Sequence, residues 1–190
     1  MHFITLSRMM GTKGTEIARR VAQELAYNFY DTESIEEKAR EMGFLDDIKE
    51  INDKAPPPFK RFFSFRSEAS LDRLYAVIYE LARQGSAVLL GRGGNMLFRS
   101  ISYAFHVRVI ASQETRLHNL VERSYTRKAA LMLMERSDNE RENFIKFAFK
   151  RDWNNPELYD IVLNMVRLTV DVAVDMILSA IRRRELQGHS

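Results

Sequence analysis

The 190-residue sequence contains no cysteine, and this excludes both disulfides and thiolate metal sites. It also contains no internal repeat and no low-complexity segment. The sequence also has no large excess of charge of one sign: it contains 29 basic and 26 acidic residues, and its net charge is only +3. That balance does not by itself indicate a nucleic-acid partner, and it suits an anionic small substrate equally well.

We expect no segment that would direct the chain to a membrane. The N-terminus enters strand-like sequence at once, without the charged region of a signal peptide. The most apolar late stretch, residues 161–181, carries Asn164, Arg167, Asp171 and Asp175, so we do not read it as a membrane span. We therefore expect a cytoplasmic protein without a membrane partner.

What the sequence does contain is the composition of a globular protein, with 45% hydrophobic and 29% charged residues. A chain of 190 residues is long enough to bury a substantial core, and one domain is the usual outcome at this length. We expect residues 1–190 to form a single domain.

The N-terminal stretch predicts a buried strand, a turn and a helix. Residues 3–6 form a short apolar run with β-branched side chains, which is typical of a buried strand. After a turn with two glycines, Ile17, Val21 and Leu25 recur at helical spacing. The amides of such a turn converge and the helix dipole favours an anion, so the turn is a candidate phosphate site.

The rest of the chain alternates strands and helices. Apolar runs predict further strands at residues 28–31, 87–90, 105–110 and 159–163. Thr32 is the expected cap of the second helix, and Ser137-x-x-Glu140 matches a capping box that predicts a helix start. Buried strands separated by helices predict an α/β fold with a parallel sheet and helices on both faces. In such folds ligands bind at the carboxyl ends of the strands.

Residues 8–15, RMMGTKGT, match the usual phosphate loop G-x-x-x-x-G-K-[ST] only in part. Thr15 falls where the Mg²⁺-binding hydroxyl belongs, but Arg8 replaces the first glycine and Lys13–Gly14 inverts the Gly-Lys pair. The loop lysine normally bridges the β- and γ-phosphates. Lys13 stands one residue early and leaves the loop in a different direction. An ordinary strand-to-helix turn would explain the same residues, and the pattern alone leaves both interpretations open.

Several stretches in order together resemble the cytidylate kinase-like family, a branch of the P-loop nucleoside monophosphate kinases. They are residues 4–31, AVLLGRGGNMLF at 87–98, RSDNERENFIKFAFKRDWNNPELYDIVLN at 136–164 and RLTVDVAVDMI at 167–177. The resemblance implies a three-layer P-loop NTPase-like fold with a five-stranded parallel sheet. It also implies a helical substrate-binding insert at residues 32–84 and an Arg-bearing lid at residues 123–151. Members of this branch often lack the usual loop lysine.

The resemblance assigns residues 8–15 to the phosphate donor, ATP with Mg²⁺. Arg8 and Lys13 would supply positive charge, and Thr15 would be the hydroxyl on the Mg²⁺ side. The residues matched to the donor-phosphate loop are Gly11, Thr12, Lys13, Gly14 and Thr15. Lys13 would also act in catalysis.

The acceptor side is matched by two shorter segments. Asp31 resembles the start of the D-T-G substrate segment of cytidylate kinases, although Glu33 replaces its glycine. Arg92 resembles the G-R-D arginine that holds the acceptor phosphate, although Gly93 replaces its aspartate. Both residues also have structural interpretations, since Asp31 could cap a helix and Arg92 could cap a strand end or pair with a helix carboxylate.

Arg136 and Arg141 resemble the catalytic lid arginines of an R-D-x-x-x-R pattern, with Ser137 in place of the aspartate. Phosphoryl transfer depends on positioning and on positive charge, which such arginines supply. Both residues could equally be solvated surface charges.

Two functions follow from the resemblance. The first is an ATP- and Mg²⁺-dependent kinase, a nucleotide-binding transferase that phosphorylates a nucleoside monophosphate such as CMP or a related small molecule. The second is a nucleotide-binding regulatory module that keeps the kinase fold and has lost catalysis. In residues 59–67, FKRFFSFRS, aromatics alternate with cations, which is compatible with a packed connector, a homodimer contact, a substrate-base contact or a nucleic-acid surface. The low net charge disfavours the last of these.

Overall fold

The computed structural model describes residues 3–53 and 65–187, and the side chains of residues 3–49 and 69–184. Five strands of the described residues are β1 (Phe3–Arg8), β2 (Asn28–Tyr30), β3 (Ala87–Leu90), β4 (Ala104–Ile110) and β5 (Ile161–Asn164). They form one parallel sheet in the order β2-β3-β1-β4-β5. The predicted α/β class and the five-stranded parallel sheet are confirmed.

Eight α-helices and one short 3-10 helix connect and cover the described strands. They are α1 (Gly14–Leu25), α2 (Thr32–Glu41), α3 (Leu45–Asp53), α4 (Phe65–Arg83), α5 (Gly94–Leu97), α6 (Gln113–Val121), α7 (Arg127–Phe149), the 3-10 turn Pro156–Leu158 and α8 (Val170–Gln187). The predicted segment at residues 59–67 lies outside the described side chains, and the homodimer contact suggested for it stays a prediction.

Alternate apolar side chains of β1 point to opposite faces of the sheet. Ile4 and Leu6 are buried in a core with α1 and α8, to which Ile17 and Ile177 belong. Phe3 is buried on the other face, in a core with α2, α3 and α4. A sheet with helices on both faces gives the three layers that were predicted.

Two local predictions about helix starts are wrong. The N-cap of α2 is Asp31 rather than Thr32, because the Asp31 carboxylate accepts from the amides of Glu33 and Ser34 at 3.1 and 3.3 Å. The capping box predicted at Ser137 does not start a helix, because α7 runs unbroken through it. Inside the helix Glu140 instead forms an i,i+4 ion pair with Arg136.

Two general features of the described residues bear on function. None of their helices combines the length and the apolar character needed to span a bilayer. No group of three or more His, Asp or Glu side chains in the same residues could hold a metal ion.

Candidate functional site

A cleft at the carboxyl edge of the sheet lies between Arg8, at the end of β1, and the glycine turn that follows β3. It has a volume of about 390 Å³, part of which is open to solvent. Its lining is polar and positively charged at one end and apolar at the other: Thr5, Leu6, Ser7, Arg8, Gly91, Arg92, Gly93, Asn95, Arg141, Phe144, Ile145 and Trp153. We call this space the arginine cleft.

The turn after β1 carries a row of amides without an acceptor. Within the described residues, the backbone amides of residues 11–15 donate no hydrogen bond. The turn is held through other groups: Met9 N donates to Val109 O at 3.1 Å, Thr12 Oγ1 to Met9 O at 2.8 Å, and Asn119 Nδ2 to Gly11 O at 2.8 Å. Free amides at the start of α1 are the donors that a phosphate group needs.

Two residues of this turn have left-handed backbones. Gly11 has φ +83°, and a Cβ there would lie 2.7 Å from the carbonyl oxygen of Arg116, so glycine is required. Lys13 has φ +60° and is the N-cap of α1. That position is the second glycine in the usual loop. Lys13 therefore keeps a glycine-like backbone, at a cost of about 1–2 kcal/mol, and its side chain is exposed to solvent.

Arg8 crosses the space between this turn and the glycine turn after β3. A Cβ built on Gly14 would lie 2.7 Å from Arg8 Cβ, and one built on Gly91 would lie 2.6 Å from Arg8 Nη1. Burial, followed by the charges of Arg141 and Arg92, lowers the pKa of the Arg8 guanidinium to about 9, while Asp31 opposes the change. A bound anion would stabilise such a poorly compensated cation.

Arg92 and Gly93 form the turn after β3. Arg92 has φ +54°, and its Nη2 donates to Thr32 Oγ1 at 3.3 Å. Burial lowers the pKa of Arg92, and Glu36 partly offsets this. Gly93 has φ +70°, and a Cβ there would overlap the ring of Phe149. An aspartate like that of the G-R-D segment therefore does not fit at this position without movement of that ring.

The contacts of Asp31 are those of a helix cap. Besides the two amides of α2, its carboxylate accepts from Arg19 Nη2 at 2.7 Å, and 19% of its side chain is exposed. The Arg19 guanidinium also lies 4.5 Å from the ring centroid of Phe29. The structure thus gives Asp31 a structural role, and its contact with a substrate stays a prediction.

The two predicted lid arginines lie on different faces of α7. Arg141 lines the arginine cleft, and burial lowers its pKa although Asp138 counteracts this. Arg136 has 80% of its side chain exposed and pairs with Glu140 at 2.7 Å. The structure brings Arg141 to the candidate site and leaves Arg136 in solvent.

Asp138 links α7 to the turn after β1, and sequence reasoning missed it. Its carboxylate accepts from Met10 N at 2.8 Å and from Arg141 Nη1 at 3.2 Å, and it also pairs with Arg116. The available signal was its place directly after Ser137, one residue later than the aspartate of the R-D-x-x-x-R pattern. A carboxylate on this amide occupies a donor that an incoming phosphate could use.

A second missed residue, Arg108 of β4, lies beneath the cleft. It is 2% exposed, its Nη1 donates to Ser7 Oγ at 2.9 Å, and its guanidinium lies 3.4 Å from the ring centroid of Trp153. No carboxylate of the described residues pairs with it. Burial lowers its pKa to about 10. The signal was an arginine inside the apolar run FHVRVI.

Asn95 is a further polar residue of the cleft that sequence reasoning left without a role. It is 5% exposed; its Nδ2 makes no hydrogen bond of normal geometry with the described residues, although it lies near enough to the Tyr159 hydroxyl to lower the pKa of that group. A buried amide without an acceptor costs about 1–3 kcal/mol unless a ligand or water accepts from it. This donor therefore adds to the anion-binding character of the cleft.

Replacing Gly93 by alanine is expected to destabilise the protein by about 2–4 kcal/mol, because a left-handed backbone and a ring overlap both act there. Gly43→Ala is the matched control, since Gly43 has φ +75° with nothing within 4 Å of a built Cβ. It should cost only about 1 kcal/mol. Urea unfolding of both variants measures the difference, and equal losses would mean that the Phe149 ring moves aside freely.

A parallel sheet of this strand order, with a phosphate-loop-like turn after its central strand, defines a P-loop kinase fold. Solved structures share it over nearly the whole chain. An uncharacterized protein from Eubacterium ventriosum ATCC 27560 is 21% identical, with a TM-score of 0.75 and coverage of 96% of this chain and 98% of that chain.

Two kinases of small molecules share the fold at lower similarity. A shikimate kinase from Bacteroides thetaiotaomicron is 11% identical, with a TM-score of 0.55 and coverage of 95% and 98% of the two chains. A gluconokinase from Sinorhizobium meliloti 1021 is 14% identical, with a TM-score of 0.57 and coverage of 100% and 97%. At these identities the likeness is one of fold.

Sequence comparison identifies the family. A model of the cytidylate kinase-like family matches residues 3–167, and the chain belongs to that family. No curated protein gives a significant sequence match.

Proposed function

We propose that the protein is an ATP- and Mg²⁺-dependent kinase of the cytoplasm that phosphorylates a nucleoside monophosphate such as CMP, or a related small acceptor. One observation carries this proposal: Arg8 lies between the free amides of residues 11–15 and the turn of Arg92. In-line phosphoryl transfer needs donor and acceptor phosphates on two sides of a positive charge, and this arrangement supplies it.

The donor side fits a nucleoside triphosphate. The amides of residues 11–15 would bind phosphate oxygens, and the N-terminus of α1 would favour their charge. Thr15, the second residue of α1, is exposed and would offer its hydroxyl to Mg²⁺. Mg²⁺ accepts few protein ligands when phosphates and waters complete its shell, so the lack of a carboxylate cluster among the described residues is compatible with this site. Bound Mg²⁺ would neutralise charge on the phosphates.

The acceptor side supports a planar base better than a sugar or a non-aromatic acid. Phe149 lies beside Gly93, and its ring centroid is 5.7 Å from that of Tyr75 and 6.1 Å from that of Phe144. Aromatic side chains of this kind stack on bases. The Tyr75 hydroxyl is a hydrogen-bond donor at neutral pH, and burial raises its pKa further, to about 12.

Catalysis would rest on positioning and charge supplied by the chain's own side chains. Arg92 would hold the acceptor phosphate, while Arg8 and Arg141 would stabilise charge on the transferred group. Lys13 is exposed and would need to bend back over the loop to contribute. The predicted role of Arg136 requires it to leave Glu140 and turn toward the cleft.

The test is a coupled assay for ADP production with ATP–Mg²⁺ and each common nucleoside monophosphate, together with calorimetry of ATP and CMP. We expect turnover, highest with a pyrimidine monophosphate, and binding of both ligands. Binding of both without turnover would instead support the regulatory module. A folded protein that binds neither ligand would contradict both functions.

A further inference from the structure

We infer that the donor loop has exchanged its glycine and its cation between positions 8 and 14, so that Arg8 takes the place of the usual loop lysine. This inference rests on the proposed kinase function and names the residue that contacts the donor phosphates. It treats two departures from the usual pattern, an arginine for glycine and a glycine for lysine, as one structural change.

The first support is steric. Position 14 is where the usual loop places its lysine. A Cβ built there would lie 2.7 Å from Arg8 Cβ and 3.0 Å from Arg8 Cγ. Real Cβ atoms do not approach carbon this closely, so a side chain at position 14 and an arginine at position 8 exclude each other in this backbone. The glycine at position 14 is therefore needed because the stem of Arg8 fills its side-chain space.

The second support is the place of the guanidinium. Nη1 of Arg8 lies 2.6 Å from where a Cβ of Gly91 would be, so the side chain passes from one glycine turn to the other. The charged end thus lies at the turn that precedes Arg92, while its stem lies against the donor loop. A planar guanidinium can contact two phosphate oxygens at once, which suits a group placed between donor and acceptor.

The third support is that Arg8 has no partner of its own. Among the described residues it makes no ion pair and no side-chain hydrogen bond. The nearby carboxylate of Asp31 is occupied by Arg19 at 2.7 Å. The other cations that act on Arg8 are Arg141, Arg92 and Arg108. An enclosed cation among cations, with five free amides beside it, is suited to an anion of several charges.

Lys13 is the other candidate for this role, and its placement differs. Its side chain is exposed, and it makes no side-chain cap contact with α1. Arg8 is held between two glycine turns, whereas Lys13 would have to order its four-carbon stem on binding. Arg8 is therefore the better organised of the two cations.

The test combines activity and stability in one double-mutant cycle of Arg8→Gly and Gly14→Lys. Arg8→Gly should lower kcat/KM about a thousandfold and weaken ATP binding, as expected for loss of a transition-state cation. Gly14→Lys alone should lower the melting temperature by about 4 °C or more because it meets the Arg8 stem. In the double variant both defects should shrink, with kcat/KM at least tenfold above that of Arg8→Gly. Arg8→Lys keeps the charge without the fork and should lie between wild type and Arg8→Gly.

Several results would overturn the inference. One is a decrease in melting temperature on Gly14→Lys that is the same in the wild type and in Arg8→Gly. Others are wild-type turnover that Arg8→Gly leaves intact, and a Lys13→Ala loss larger than that of Arg8→Gly. In each of these cases, wild-type turnover would still support the proposed kinase function. A wild type that neither binds ATP nor turns over ends the proposed function, and the phosphate role of Arg8 with it.

Discussion

Arg141→Ala is expected to lower kcat/KM for the nucleoside monophosphate about a thousandfold, because transition-state arginines in phosphoryl transfer contribute effects of this size. The side chain lines the arginine cleft and is only 22% exposed. Its charge also acts on Arg8, whose pKa it lowers. Steady-state kinetics with ATP–Mg²⁺ measure the loss, and Arg141→Lys should recover part of it.

Arg182→Ala provides the matched control, since it removes one exposed arginine from α8 and leaves the cleft unchanged. Its kinetics should stay within about twofold of wild type, as surface substitutions rarely matter. The melting temperature of Arg141→Ala must also be measured, because the change frees Asp138 from one of its partners. A folded Arg141→Ala variant with wild-type kinetics would contradict the role of α7 as a catalytic lid.

Replacing Arg108 by methionine should leave stability unchanged or raise it, and should lower activity. Arg108→Ala loses the contact with Trp153 and leaves a cavity, so we expect a loss of about 2–4 kcal/mol. Arg108→Met keeps most of the volume and removes a buried cation that has no carboxylate partner. Such replacements are often neutral or stabilising, by up to about 4 kcal/mol. Urea unfolding of both variants measures these changes.

The same methionine variant should turn over about tenfold more slowly or worse. A charge near the cleft contributes roughly 2 kcal/mol at a distance of about 8 Å in a medium of intermediate dielectric constant. The pKa of Arg8 already responds to Arg108, which places the two charges within mutual influence. A methionine variant that is less stable than wild type would mean that Arg108 serves the fold rather than the site.

Much of the fold could be predicted because its signals are local. The apolar runs at 3–6 and 87–90 became β1 and β3, and the helical period after residue 15 became α1. Helix starts were less secure, since the S-x-x-E spacing of a capping box also occurs inside α7, where Glu140 pairs with Arg136. Helix α7 continues through Ser137 because Ala130, Met134 and Ile145 are buried along one continuous face.

The site could be predicted where it follows strand ends and not where it depends on distant pairs. Arg8 and Arg92 come directly after strands, so the topology placed them together. Asp138 contacts Met10, which is 128 residues away in the sequence, and no local sequence pattern predicts that contact. Arg136 and Arg141 are five residues apart, which at 3.6 residues per turn sets them about 140° apart on α7. Only the packing of α7 decides which of them faces the cleft.

The central place of β1 has a consequence for how the chain is made. Phe3 pairs with Ala87 on β3 and with Ala104 on β4, so the first strand synthesised has no partner until β3 is made about 84 residues later, and its other edge waits for β4. At translation rates of about 5–20 residues per second, the wait for β3 is roughly 4–17 s. During it an apolar strand with unpaired edges is prone to pair with other chains. Arg8, at the end of β1, is thus among the first groups of the site to leave the ribosome and among the last to be enclosed.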